Sequence, residues 1–473
     1  MGKDNSDYRE LQEKIFIDRK SGWTNQYQGQ QEEIFEFAEK YKQFLAQSKT
    51  ERLCVKNIVK ILEKNEFEDI DKKNEINQGD KLYQIFRNKS ILAVRVGEKP
   101  DQLRIVGSHV DSPRLDLKPN PVYEDSELAL FKGHYYGGLK KYHLMNTPLA
   151  IHGVVMTKSN GKIEISLGEG EDEPGFIIPD LLIHLSKDRM KKSAKKVVKG
   201  EELNILVGHI PIDEENIEEK VKFALLKYLH QEYGIIEEDF NSAELKFVPA
   251  EQPRDIGFDR GLISGYGQDD RISVYTSLKA ICNSGNTKET AIAFFTDKEE
   301  TGSHGDTGAK SFLLQNFIRN YISKIGQELE YEELLEDALS ISADVTSGLN
   351  PNFKEVHEKE NAIHLGRGVS IQKYGGSGGK YSTHDAHAEY MAYMRRIANE
   401  NNIPWQTGEL GKIDKGGGGS IGMFLSRYGM NCIDIGPAVL GMHSPSEISS
   451  KLDLFAAYKF YKAFYEDNKY PKF

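Results

Sequence analysis

Two glutamates stand side by side in Asp297-Lys298-Glu299-Glu300-Thr301-Gly302, directly after the apolar run Ala291-Ile292-Ala293-Phe294-Phe295-Thr296. That run reads as a buried strand, which puts the pair at a strand end. Adjacent carboxylates repel each other and desolvate poorly unless a cation or donor compensates. In extended backbone they point in opposite directions. One can then hold a metal while its neighbour faces a substrate. A lone Glu-Glu is far more often a solvated acidic turn, so the remaining polar residues must decide.

His109 and Asp111 follow the strand-like Gln102 to Gly107, and Asp344 follows Ala338 to Ala343. Asp269 precedes a helical pattern, and His443 lies just past Asn431 to Gly436. Singly these are weak: a lone Asp before a helix is usually its cap. Jointly they place His109, Asp269, Glu299, Glu300, Asp344 and His443 at element ends of one α/β pattern, where open α/β sheets bind ligands. Zinc favours such a mixture of imidazole and carboxylate, and Co2+ or Mn2+ would also suit it. Two metals about 3.5–4 Å apart need a bridging carboxylate plus a His and a carboxylate each. The inventory supplies that with one Glu to spare as general base. Asp111, two residues from His109, can orient the imidazole.

The elements that must position these residues are legible in outline. Two helical patterns run from about Gln30 to Phe67, and Ile91 to Gly97 reads as a strand. From about Leu117 to Val248 the character changes to short β segments, Leu149 to Met156, Lys162 to Leu167 and Gly175 to Leu185, without strand–helix alternation. This predicts a discontinuous α/β domain, residues 1–116 and 250–473, interrupted by an inserted, mainly β domain over 117–249. The basic run from Lys187 to Lys199 reads as a solvated loop. Helices are expected over Gly305 to Ile325, His384 to Asn401 and Ser449 to Tyr465. Two glycine clusters, Gly375 to Gly379 and Gly416 to Gly419, read equally as flexible linkers or tight turns and as loops offering backbone N–H groups to a substrate.

The bulk numbers exclude several classes. The chain has 473 residues, room for two or three domains, and a net charge of −11, which argues against nucleic-acid partners. Three distant cysteines make no CxxC or disulfide framework, favouring a reducing compartment. The first twenty-odd residues are charged, reading as a loose arm without a signal peptide's apolar segment, and no apolar stretch reaches membrane length. A cytoplasmic protein with no membrane partner is expected.

In this order, Gly107-Ser108-His109-Val110-Asp111-Ser112-Pro113, Asp269-Asp270, Asp297 to Ser303, Ser342-Ala343-Asp344 and Met442-His443-Ser444 make the chain resemble the aspartyl aminopeptidase family of dinuclear-zinc metallopeptidases, over roughly residues 28 to 465. The resemblance implies a mixed-sheet α/β/α metallopeptidase domain with an inserted dimerisation domain. It implies removal of the N-terminal residue from peptides with a free N-terminus by metal-bound hydroxide, with two Zn2+ per subunit. Asp269 would bridge the metals, His109 and Glu300 completing one site, Asp344 and His443 the other. Glu299 would be the general base and Asp111 the partner behind His109. His184 would reach into a neighbouring subunit's site to stabilise the oxyanion, within a dimer-based dodecamer. Two departures stand out. Asp270 occupies a position where the family pattern has Asn. The region Gly366 to Thr383 does not align with the stretch that anchors acidic substrates: Ile371 or Gln372 falls near the anchor, with Lys373 and Lys380 only nearby. The alternatives are a related dinuclear deacylase or carboxypeptidase-like hydrolase and, of another class, an inactive scaffold of the same fold.

Overall fold

Strand-forming apolar runs separated by helices build a nine-stranded mixed sheet in this computed structural model, which describes residues 5–17, 20–159 and 161–471. In chain order the strands are β1 (Glu68–Asp69), β2 (Lys81–Phe86), β3 (Ser90–Arg95), β4 (Lys99–His109), β5 (Glu289–Thr296), β6 (Leu339–Ser342), β7 (Val369–Gln372), β8 (Trp405–Gln406) and β9 (Asn431–Gly436). Their order across the sheet is β1-β2-β3-β5-β4-β6-β9-β7-β8. The centre is parallel: β4 lies between β5 and β6, and β6 pairs with β9. Every residue of β5 is buried, as expected of a parallel strand covered on both faces.

Side-chain alternation along β5 divides the domain into layers. Ala291, Ala293 and Phe295 join the apolar cluster under helices Gln31–Gln47, Glu51–Lys64, Gln268–Asn283, Ala388–Glu400 and Lys451–Glu466. Ile292 and Phe294 join the opposite cluster with Phe317, Ile318 and Tyr321 of helix Leu313–Ile325. The domain is therefore helix on sheet on helix, in a mixed α/β arrangement. Because Thr296 pairs with His109 and Ser342 with Gly107, the carboxyl ends of β4, β5 and β6 share one edge. A smaller sheet, Arg254–Ile256, Leu262–Gly265, Glu447–Ser450, Ala438–Leu440 and Thr346–Ser347, flanks that edge.

The residues between β4 and β5 carry a second, antiparallel sheet of six strands, ordered Lys162–Leu167, Leu149–Met156, Ala243–Pro249, Arg114–Asp125, Leu128–Tyr136, Asn204–Gly208. It has its own apolar cluster, including Leu115, Phe131, Ile151 and Phe247.

Several expectations differ in detail. Gly175 to Leu185 is not a strand: Phe176, Ile177 and Ile178 make isolated bridges, and Ile183–Leu185 is a single 3-10 turn. Pro174 and Pro179 flank those bridges and cannot donate to a ladder. Within the same region, helix Lys220–Tyr233 was not anticipated, although Val221, Ala224, Leu225, Tyr228 and Leu229 keep helical spacing; Gly234, at φ +67°, ends it. The helix expected from Gly305 starts only at Leu313. Residues before it fold back on the Glu299 turn, with Asp297 N donating to the Thr307 carbonyl and Thr307 Oγ1 donating to Asp297 Oδ2. The basic run forms two short helices, Lys187–Met190 and Ala194–Val197. Of the proposed N-terminal arm, Asn5–Ile15 is helical, and residues 1–4 and 18–19 lie outside the described residues. Among the described residues, no helix is long and apolar enough to cross a membrane. All three cysteines are buried and free.

Candidate metal centre

Six predicted residues meet at the shared sheet edge. His109 ends β4, Glu299 and Glu300 sit on the 3-10 turn Glu299–Thr301 after β5, and Asp344 follows β6. Asp269 lies in the first turn of helix Gln268–Asn283 but with non-helical backbone, and a cis peptide joins it to Asp270. His443 comes from the loop after Ala438–Leu440, in left-handed backbone at φ +62°. Gly436 lets β9 come close to the loop carrying Asp344: a Cβ there would stand 1.9 Å from the Asp344 carbonyl oxygen.

Asp269 is the centre of the arrangement. Its Oδ1 is 3.2 Å from His109 Nε2, and its Oδ2 is 3.1 Å from His443 Nε2. Two groups of possible ligand atoms share it: His109, Asp269 and Asp344, and Asp269, Glu300 and His443. This corrects the expected pairing. His109 goes with Asp344, 3.8 Å away, and His443 with Glu300, 3.4 Å away. The reason is topological. His109 and Asp344 end neighbouring parallel strands, while Glu300, the farther residue of the turn, is carried toward the His443 loop. Glu299 lies on the other side, its Oε2 3.8 Å from His109 Nε2, and lines the cavity.

A shell of buried groups fixes these side chains. Asp111 is fully buried. Its carboxylate accepts from the backbone N–H of Glu299 (3.1 Å) and of Glu300 (3.2 Å) and from the Tyr136 hydroxyl (2.7 Å). His109 Nδ1 is 3.0 Å from the Asp111 carbonyl oxygen and 3.4 Å from its carboxylate, so one residue orients an imidazole and both glutamates. The extra carboxylate at Asp270 turns away from the cluster and accepts from the His109 backbone N–H at 3.2 Å. Glu447 does the equivalent job for the other half, accepting from His443 N (2.7 Å) and Asp269 N (3.0 Å). The Gly138 carbonyl lies 2.6 Å from His443 Nδ1. Tyr136, Gly138 and Glu447 were missed in the sequence. Only Glu447 gave a signal, four residues after His443; Tyr136 and Gly138 come from a distant region whose approach to this edge no spacing reveals.

The electrostatics are those of a site short of positive charge. The ion-pair partners of Asp269, Glu299, Glu300 and Asp344 are the two imidazoles. Burial, together with the neighbouring Asp344, Asp111 and Asp269 carboxylates, pushes Glu299 up to about 8 against the pull of His109. Glu300 is held well above its ordinary value by burial and Asp269. Burial disfavours the charged His443 ring, but Asp269 and Glu300 outweigh it and raise the ring to about 10. Burial likewise opposes charge on His109, and bonding to Asp111, Asp269 and Asp344 holds it well above normal. Glu300 Oε1 is buried with no hydrogen-bond partner. Two imidazoles, four convergent carboxylates and an unpartnered buried oxygen suit divalent zinc, which would supply the missing charge.

Above the cluster opens a cavity of about 490 Å³. The two glycine clusters are neither linkers nor isolated turns: Gly376–Ser377 pairs with Gly417–Gly418, and Gly375, Gly418 and Gly419 line the cavity. His184 is not in this chain's cavity lining. It sits on an exposed turn among exposed Leu181, Leu182, Ile183 and Leu185.

Residues 44–465 match the family described as aminopeptidase I zinc metalloprotease (M18). The chain belongs to the M18 aminopeptidase family. A probable M18 family aminopeptidase 1 from Clostridium acetobutylicum is 44% identical over 453 residues, 94% of this chain and 97% of that protein. The crystal structure of an M18 aminopeptidase from Thermotoga maritima superposes with a TM-score of 0.92 at 45% identity, covering 95% of this chain and 100% of that one. The fold extends to the yeast mApe1 dodecamer, with a TM-score of 0.73 at 21% identity over 90% of this chain and 95% of that one. This M18 chain is thus a metalloaminopeptidase, of a family of zinc peptidases. The scaffold alternative is set aside. The family description is broader than aspartyl aminopeptidase, and substrate preference is a separate matter of pocket chemistry.

Proposed function

We propose that this M18 aminopeptidase removes N-terminal residues at a dinuclear centre in which Asp269 is the shared ligand. His109 and Asp344 would hold one ion, His443 and Glu300 the other. The observation that carries the reading is the sharing of Asp269, one carboxylate oxygen facing each histidine. Zinc bound there would supply Lewis acidity toward the scissile carbonyl and acidify water. Co2+ or Mn2+ would suit the same donors.

Glu299 is the general base. It lines the cavity beside the His109 half, its Oε2 3.8 Å from His109 Nε2, and it belongs to neither ligand group, which leaves its carboxylate to take a proton from water and return it to the leaving amine. Asp111 acts behind it, fixing the Glu299 backbone and the His109 ring. Glu299→Gln is expected to keep its metal content while kcat falls by about 10²–10⁴-fold, the usual contribution of acid–base catalysis. Near-normal turnover by that metal-loaded variant would remove Glu299 from this role. Product analysis tests the reaction class: cleavage that survives N-acetylation of the peptide would favour a deacylase or carboxypeptidase-like enzyme instead.

We further read residues 117–249 as an inserted dimerisation domain between the two parts of the catalytic domain, residues 1–116 and 250–473. Ile183 and Leu185 are 66% and 69% exposed, which suits burial against a second copy. His184, carried between them, would complete a neighbouring subunit's site by hydrogen-bonding the developing oxyanion. The yeast mApe1 relative is a dodecamer, and a dimer-based dodecamer is the expected assembly here. A cytoplasmic location accords with the buried, free cysteines.

A further inference from the structure

Resting on the aminopeptidase reading above, we infer that Arg114 is a positioning residue for the reaction: acting through Tyr136 and Asp111, it fixes the turn that carries Glu299 and Glu300 to the six-stranded sheet. The turn opens on Lys298 in left-handed backbone at φ +69°. A lysine adopts that conformation at a cost and keeps it only where its surroundings hold it.

Tyr136 supplies much of that hold. Its hydroxyl donates to Asp111 Oδ2 at 2.7 Å, on the carboxylate that accepts from the Glu299 and Glu300 amides. The same hydroxyl accepts from Thr301 Oγ1 at 3.5 Å, and the Lys298 ammonium lies 5.1 Å from the Tyr136 ring centroid. Every residue from Lys298 to Thr301 is thus tied to one phenol, directly or through Asp111. The chain then continues along the same wall: a Cβ on Gly137 would stand 3.4 Å from Glu300 Cβ.

Tyr136 is in turn held by Arg114. The two are register partners on the antiparallel strands Arg114–Asp125 and Leu128–Tyr136, so their side chains share a face of the sheet. The guanidinium carbon is 3.8 Å from the Tyr136 ring centroid, within cation–π reach. The guanidinium itself is well anchored. Its Nε donates to Asp116 Oδ1 at 2.9 Å and its Nη1 to the Ser112 carbonyl at 3.4 Å, while Nη2 lies 3.7 Å from Glu51 Oε2. Glu51 opens helix Glu51–Lys64 over the nine-stranded sheet, and Lys246 of the six-stranded sheet pairs with its Oε1. Arg114, Glu51 and Lys246 are all buried. A buried carboxylate between two cations keeps its place, because separation would leave the charges unpaired away from water. A line of contacts, Lys246 to Glu51 to Arg114 to Tyr136 to Asp111, therefore runs from the junction of the two sheets to the amide of the general base. Arg114 does not line the cavity, so it acts on the reaction through these neighbours.

The test uses the assembled, zinc-loaded enzyme, with steady-state kinetics at saturating zinc and amide hydrogen exchange of residues 297–303 as readouts. Tyr136→Phe removes only the hydroxyl and should lower kcat about tenfold or more, the usual cost of losing a group that orients others at a metal site, with KM within about threefold. Arg114→Met should lower kcat to a similar degree. Both variants should speed exchange of the Glu299 and Glu300 amides about tenfold or more, while helix Leu313–Ile325 exchanges as in the wild type. Because Arg114 acts through the Tyr136 hydroxyl, adding Arg114→Met to Tyr136→Phe should cost less than about threefold more in kcat, whereas independent losses would multiply. If Arg114→Met does not fold, Glu51→Gln, of nearly equal volume, removes the far anchor and should move kcat and the same amides in the same direction by about threefold or more. Unchanged kcat or unchanged exchange in a folded Arg114→Met or Glu51→Gln, or losses that multiply in the double variant, overturns the inference while leaving the aminopeptidase intact. No cleavage of any free-amine peptide by the wild type would instead sink the aminopeptidase reading, and this inference with it.

Discussion

The two halves of the metal centre are built differently. His109 ends a central strand of a sheet covered on both faces, and its ring is buried. His443 hangs on a loop in left-handed backbone, with its side chain 31% exposed. Asp111 and the backbone of β4 hold the first half, while Glu447 and a carbonyl from the distant residue Gly138 hold the second. Asp269 is common to both. A ligand on a rigid, buried element keeps its geometry without the metal; one on a half-exposed loop keeps it less well. The His109 half should therefore bind the tighter ion, and the His443 half the one that exchanges.

The largest effect is expected where that contrast vanishes. Asp269→Asn removes a charge from both halves at once. Metal content by mass spectrometry should drop for both ions, and peptidase activity should fall below detection. A variant that keeps both ions would break the claim of a shared ligand. Next comes Glu447→Gln, which touches no metal atom. Losing a carboxylate that orients two ligands typically costs about 10–100-fold in metal affinity or activity. An unchanged zinc affinity would reduce Glu447 to a packing role.

The smallest expected effect is a pH dependence of the metal-free protein. Glu299 and Glu447 are raised to about 8, each chiefly by burial and nearby carboxylates, and His443 to about 10. Groups whose folded values are raised favour the folded state while they hold protons. That contribution is present at low pH and is lost as pH rises through the folded values. The chelated protein should therefore melt lower as pH climbs from 5 to 8.5, by about 5 °C or more. Zinc loading should abolish the trend, because the ions replace the protons. A chelated protein that becomes more stable over this range would contradict the charge balance described here.

Much of the centre could be read in the sequence because its ligands sit at strand ends, and strand ends are marked by apolar runs. Glu299 and Glu300 were found this way, after a strand with every residue buried. What the sequence could not separate was which imidazole goes with which carboxylate. That depends on strand order, in which β6 lies beside β4 although β4 ends at His109 and β6 begins only at Leu339. The choice between Asp269 and Asp270 was likewise a matter of side-chain direction: Asp269 faces both histidines, and Asp270 turns back to the His109 amide. Tyr136 and Gly138 belong to the stretch between β4 and β5 and act on a site assembled from distant strand ends, so no local pattern announces them. Of the antiparallel sheet between β4 and β5, strands Leu149–Met156 and Lys162–Leu167 were legible, while its other four strands gave no clear alternation and Gly175 to Leu185 only resembled one. Helix Lys220–Tyr233 of the same stretch was overlooked, although the spacing was there to read.

The most direct test of two unequal halves sharing one carboxylate is a calorimetric zinc titration of the chelated enzyme, beside His443→Ala. The wild type should bind two equivalents of zinc per chain, in a tighter and a weaker step. In His443→Ala the weaker step should disappear and the tighter one remain. A single equivalent in the wild type, or loss of both steps in His443→Ala, would contradict that arrangement.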